Sequence, residues 1–130
     1  MTTNIGYDDK FPRPQDPSYA EFVNSLMKDM GATTLNILHA AVGIAGEAGE
    51  LLDAVKKHWA YEKPLDRENV IEELGDLEFY MQALRNQLGV PREYIVTQNM
   101  NKLSKRYAAG VYSNAQAQAR ADKTETGETK

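Results

Sequence analysis

Glu47-x-x-Glu50 and Glu73-x-x-Asp76 are the residues of this chain whose types and spacing could do chemistry. Side chains three apart on a helix lie one turn apart on one face, so each pair can aim two carboxylates in one direction. From Thr33 to Leu52 the only formal charges are Glu47 and Glu50, set among Ala, Gly, Leu, Ile and Val. An unpaired charge in so apolar a segment costs several kcal/mol. A divalent cation shared by all four acids would remove that cost. With no cysteine in the chain, oxygen ligands describe a site for Mg²⁺, with Mn²⁺ as a substitute, rather than zinc. Magnesium keeps waters and accepts phosphate oxygens, so nucleotide hydrolysis follows more naturally than a structural ion. The competing arrangement is a helical bundle whose acids pair with Lys102, Lys105 and Arg106.

The elements that must position these acids read as helices. Residues 1–16 carry Gly6, Pro12 and Pro14 without periodicity and read as an extended N-terminal arm. Asp16-Pro17 reads as an N-cap followed by proline at the first helical position. A first helix to about Met30 then presents Phe22, Leu26 and Met30, and Gly31 ends it. Thr33 or Thr34 caps a second helix over about Leu35–Trp59, with Leu38, Ala41, Ala45, Ala48, Leu52, Val55 and Trp59 as its core stripe. Asn36, His39, Gly43, Glu47 and Glu50 form another stripe, offset by roughly 100°. Gly43, Gly46 and Gly49 mark a close approach to the backbone, by a ligand or by a neighbouring helix. After a turn containing Pro64, Asp66 caps a third helix with Val70, Leu74, Leu77, Met81, Leu84 and Leu88 as its apolar face. Asn69, Glu73, Asp76 and Tyr80 flank that face. Gly89-Val90-Pro91 closes it, and a fourth helix runs to about Tyr107, with Lys102 and Arg106 four apart. Asn114 to Ala121 reads as a short helix, and TETGETK as a flexible tail. The division expected is an arm over 1–16, a helical domain over 17–113 and a polar tail over 114–130.

Composition bounds the reading. A chain of 130 residues with 42% hydrophobic and 26% charged residues is that of an ordinary soluble domain. No apolar run reaches the ~18 residues that span a bilayer, and the N-terminus lacks the pattern of a secretory signal, so no membrane partner and a cytoplasmic setting are expected. The net charge of −4 argues against broad nucleic-acid binding. Between Glu47 and Glu78 ten acids stand against four bases, whereas from Lys102 onward six bases stand against three acids. That polarity suits acids holding cations and a basic segment meeting an anion.

GIAGEAGELLDAVKK followed by EELGDLEFY resembles the MazG-like, all-α nucleoside triphosphate pyrophosphohydrolases. The later NKLSKRYAAGVYS resembles that family's KLxxRYPxGF segment. Gly46 stands where many members have another Glu, and Ala108-Ala109 replace the usual Pro-x. The resemblance covers about residues 33–113. It implies an all-α, four- to five-helix antiparallel bundle that forms a homodimer or homotetramer. It also implies Mg²⁺-dependent attack of water on a (d)NTP, with a preferred base such as that of dGTP, dCTP or dUTP, giving nucleoside monophosphate and pyrophosphate. Glu47, Glu50, Glu73 and Asp76 would hold the metal, Glu47 or Glu50 would take the water's proton, Lys102 and Arg106 would contact the phosphates, and Tyr107 would shape the same wall. Asn36 and His39 are candidates for the base or sugar, although a histidine on a buried helix is also an ordinary core residue. Tyr80 could stack on a base, whereas Trp59 continues the core stripe. The alternative from another class is a non-catalytic helical regulatory or interaction module.

Overall fold

The structure, a computed structural model, describes residues 5–126. Among them are six helical segments and no strand: α1 (Ser18–Leu26), α2 (Thr33–Tyr61), α3 (Arg67–Leu88), α4 (Arg92–Arg106), α5 (Asn114–Ala119) and α6 (Ala121–Thr126). The all-helical expectation therefore holds. The tail reading is corrected in part, because α6 continues through Thr126, while residues 127–130, like residues 1–4 of the expected arm, lie outside the described residues. No helix of the described residues is long and apolar enough to cross a membrane. The chain forms two compact units, Met1–Pro91 and Arg92–Lys130.

In the first unit α2 and α3 make an antiparallel hairpin. Ala40 packs in one cluster with Ala83, a methyl on Gly43 would strike Tyr80, and Glu47 meets Glu73, so one index falls as the other rises. Local chemistry fixes the turn. Glu62 takes a left-handed conformation at the end of α2, and Lys63 O approaches His58 Nδ1 at 2.6 Å. Asp66 then caps α3 by accepting from the Asn69 amide at 3.1 Å, as its position predicts. Gly89 ends α3 at φ 66°, donating back to the Asn86 carbonyl, and Val90 donates to Arg85 O. The N-terminal segment crosses this cap, with the Asp8 amide donating to Gly89 O at 3.1 Å. The start of α2 departs from expectation: Ala32 is its N-cap, and neither threonine caps it. Instead Asn36 ties the α1–α2 loop, accepting from the Met30 amide at 2.7 Å and donating to Asp29.

The core is small and its faces are not those the hydrophobic pattern predicts. Val23, Ala40 and Ala83 form its centre, flanked by Met27, Phe79 and Leu84. On α2 the face toward α3 runs through Asn36, Ile37, Ala40, Gly43, Ile44, Glu47, Leu51 and Ala54, all at least partly buried. The predicted core stripe Leu38, Ala41, Ala45, Ala48, Leu52, Val55 and Trp59 is exposed at every position. On α3, Val70, Leu77 and Leu84 turn inward while Leu74, Met81 and Leu88 stay exposed. On α1, Ala20 and Val23 are buried and Phe22 and Leu26 are not; the helix stops at Leu26, where Met27 turns extended, so Met30, expected as its last apolar position, lies beyond it and is exposed as well. The reason is geometric. Ala40 and Gly43 let the two helices approach closely at the centre of the seam, Ile37, Ile44 and Leu51 fill in beside them, and the second apolar stripe of α2 is left outward.

In the second unit α4 carries α5 and α6. Ser113 caps α5 by accepting from the Gln116 amide at 3.0 Å. Arg106, at the end of α4, makes a two-point ion pair with the buried Asp122 of α6, at 2.9 and 3.2 Å.

Candidate metal centre

The α2–α3 seam explains why acids come together inside an apolar hairpin. In an antiparallel pair the positions facing the partner recur every three or four residues. Glu47 follows Gly43 and Ala40 at that spacing, and Glu73 precedes Leu77 and Tyr80 in the same way. Both glutamates therefore sit where two helices would ordinarily place aliphatic side chains. Glu47, Glu73 and Asp76 each offer a carboxylate oxygen such that all three atoms lie within 4.8 Å of one another. Glu47 and Glu73 are half-buried and Asp76 is exposed.

The electrostatics of this cluster are unfavourable without a cation. Burial first, and then repulsion from Glu47, Glu50, Asp76 and Glu72, pushes the Glu73 carboxyl above its ordinary range. Within this unit no lysine or arginine among the described residues pairs with any of the four acids. Arg85 is bonded to Glu78 at 2.7 Å and Lys57 to Asp53 at 3.0 Å. Three oxygens that close, all from carboxylates, match the donor chemistry of a hard divalent cation. Glu50 stands one turn beyond Glu47, exposed and outside the group of three converging oxygens, with its charge still acting on Glu73.

The remaining sequence candidates divide by unit. Tyr80 is seated against α2 at Gly43, the one glycine of this helix whose missing Cβ a neighbour occupies: a Cβ there would stand 2.5 Å from ring atoms of Tyr80. Gly46 and Gly49 face open space. The Tyr80 ring meets Phe79 edge-on at 5.4 Å and His39 at 6.3 Å between centroids. His39 is half-buried, and its enclosed Nδ1 has no hydrogen-bond partner. Asn36 spends both ends of its amide on the α1–α2 loop while lining a cavity of about 310 Å³ with Asn24, Asp29, Asn86 and Gln87. Trp59 is 78% exposed, so the packing role expected within this chain is not the one it has.

Lys102, Arg106 and Tyr107 belong to the second unit. Lys102 is exposed. The Tyr107 ring lies 5.5 Å from that of Tyr112 and lines an apolar cavity of about 320 Å³ with Met100, Leu103 and Val111. Asp122 is the residue that the sequence reading passed over. One acid among the mixed charges of a polar tail carries no spacing signal, yet its hydrogen bond to Arg106 holds its carboxyl below the usual range.

Comparison with known proteins agrees with this geometry. Residues 36–110 match the MazG nucleotide pyrophosphohydrolase domain. The chain is similar to the Gene 37 protein of Mycobacterium phage L5, with 35% identity over 77 residues that cover 56% of this chain and 68% of that protein. No solved structure matches it. The matched segment takes in the α2–α3 hairpin with all four acids, and the chain belongs to the MazG nucleotide pyrophosphohydrolase family.

Proposed function

We propose that this chain is a Mg²⁺-dependent (d)NTP pyrophosphohydrolase that cleaves the anhydride between the α and β phosphates, yielding nucleoside monophosphate and pyrophosphate. The observation that carries the reading is the convergence of Glu47, Glu73 and Asp76 within 4.8 Å on a seam that helix packing would otherwise fill with apolar residues. These three, with Glu50, would hold the cation. When bound, it supplies positive charge against the triphosphate oxygens and acidifies water beside them. Glu47 or Glu50 takes the proton of the attacking water. Exposed Glu50 is the freer of the two to do so.

The rest of the site binds and orients. His39 and Asn36, one turn apart on α2, are assigned to the base or sugar; the unpartnered Nδ1 of His39 is enclosed and reaches a ligand only once the ring turns outward. Tyr80, wedged at Gly43, gives a rigid aromatic edge between those residues and the acids. Lys102 and Arg106 are assigned to the phosphates and Tyr107 to the same wall, on the strength of the NKLSKRY segment within the matched family domain. Arg106 would then exchange the Asp122 carboxylate for phosphate oxygens, anions of like geometry for a guanidinium fork. The working form is a homo-oligomer, a reading supported by the large apolar side chains that the single chain leaves exposed.

The test is a panel of (d)NTPs incubated with Mg²⁺ or Mn²⁺ while pyrophosphate is assayed, with Glu73→Gln, Asp76→Asn and Glu50→Gln alongside. Each variant is expected to lose at least about 100-fold in turnover while remaining folded. Near-normal rates for Glu50→Gln would remove that residue from the site. No turnover of any nucleotide, with no metal-dependent thermal shift, would leave the chain a helical interaction module.

A further inference from the structure

We infer that the outward face of α2 is the surface on which two copies of this chain meet, their α2 helices packing antiparallel with the two-fold axis level with residue 47. This rests on the homo-oligomer reading above and adds which face is used and in which direction. Positions 35, 38, 42, 45, 49, 52, 56 and 59 step by three and four, the spacing of a helix seam. All eight are exposed, and they lie on the side of α2 opposite α3. They include Leu35 at 47%, Leu38 at 56%, Val42 at 61%, Leu52 at 67% and Trp59 at 78% exposure. These five side chains leave several hundred Å² of apolar surface uncovered, of the order of the ~800 Å² that one partner brings to a standard interface. The hairpin leaves this stripe bare because α2 meets α3 on its other face, through Ile37, Ala40, Gly43, Ile44 and Leu51.

The order of residues along the stripe names the occupant. Reversed about residue 47, Val42 falls opposite Leu52, Leu35 opposite Trp59, Ala45 opposite Gly49 and Leu38 opposite Lys56. Large meets large toward both ends, and small meets small at the centre, where the backbones would come closest. Gly49, with nothing within 4 Å of its missing Cβ, thereby acquires a reason the isolated chain does not give it. Lys56, the only charge in the stripe, can lay its methylenes over Leu38 and keep its ammonium in water. A partner of different sequence would have no need of this symmetry.

The chain has no cysteine, so introduced thiols report cleanly. Val42 and Leu52 are ten residues apart, about 15 Å along one helix, too far to bridge within a chain. Mild oxidation of the V42C/L52C double variant is expected to give a dimer linked on a non-reducing gel, while V42C and L52C alone do not link. Light scattering of the unmodified protein is expected to give at least twice the 14.6 kDa chain mass. Leu52→Asp should weaken association by at least about tenfold, with circular dichroism showing the helices retained. A monomer over the working concentration range would overturn both the oligomer and this interface. An oligomer in which V42C alone links, or in which the double variant does not, would overturn the antiparallel α2 face and leave the oligomer standing.

Discussion

Gly43→Ala is the sharpest probe of the hairpin that positions the acids. Alanine in a helix interior is favoured over glycine by about 0.8–1 kcal/mol, so propensity alone predicts a gain. At Gly43, however, the added methyl would fall on the ring of Tyr80, 2.5 Å from Cγ and Cε1. Those atoms are close to the backbone of α3, and Phe79 and His39 back the ring. Relief therefore means moving the helix or turning Tyr80 out, an overpacking cost of about 1–3 kcal/mol. Gly46→Ala, three residues on in the same helix, meets nothing within 4 Å and keeps the propensity gain. The difference between the two variants cancels the propensity term, leaving Gly43→Ala less stable by about 1–3 kcal/mol. Denaturant unfolding followed by circular dichroism measures this directly, as a shift in midpoint at constant slope. In a thermal melt the gap should be roughly 3–10 °C. Equal stability of the two variants would refute the close contact between α2 and Tyr80, and with it the register that brings Glu47 to Glu73.

Three further outcomes follow from the same structure. Glu73→Gln should raise the melting temperature of the metal-free protein at neutral pH, because the raised carboxyl of Glu73 makes its charged form unfavourable above that pKa; melts with chelator and with Mg²⁺ should also show the variant losing the metal-induced shift. The Asp122 carboxyl is depressed by Arg106, so its ion pair should stabilise α6 fully above the ordinary Asp value of about 4 and be lost as pH falls through the lower folded value. Hydrogen exchange of α6 amides against pH checks this, and protection that fails already at pH 6 would contradict it. Gly89→Ala should destabilise by about 1–3 kcal/mol, since Gly89 has φ 66° and its Cβ would stand 2.6 Å from Gly6 O; unfolding titrations should place it well below Gly75→Ala, which faces open space.

What the sequence determined by itself is local. The Asp66 cap, the Gly89 stop, the extents of α3 and α4 to within a residue or two, and the spacing of the two acid pairs all depend on interactions within a few residues. The grouping of Glu47 with Glu73 and Asp76 was legible too, because a short turn between two long helices makes them antiparallel neighbours. Only the tertiary structure decided which face of α2 meets α3. Leu38, Leu52 and Trp59 form a stripe as apolar as any core, and hydropathy cannot tell a stripe that α3 covers from one the chain leaves bare. The choice went to Ala40 and Gly43 because contact distance, set by the smallest side chains in the interface, governs how closely two helices can pack. The pairing of Arg106 with Asp122, sixteen residues away through α5, was equally invisible: an ion pair of that span needs the fold to bring its partners together.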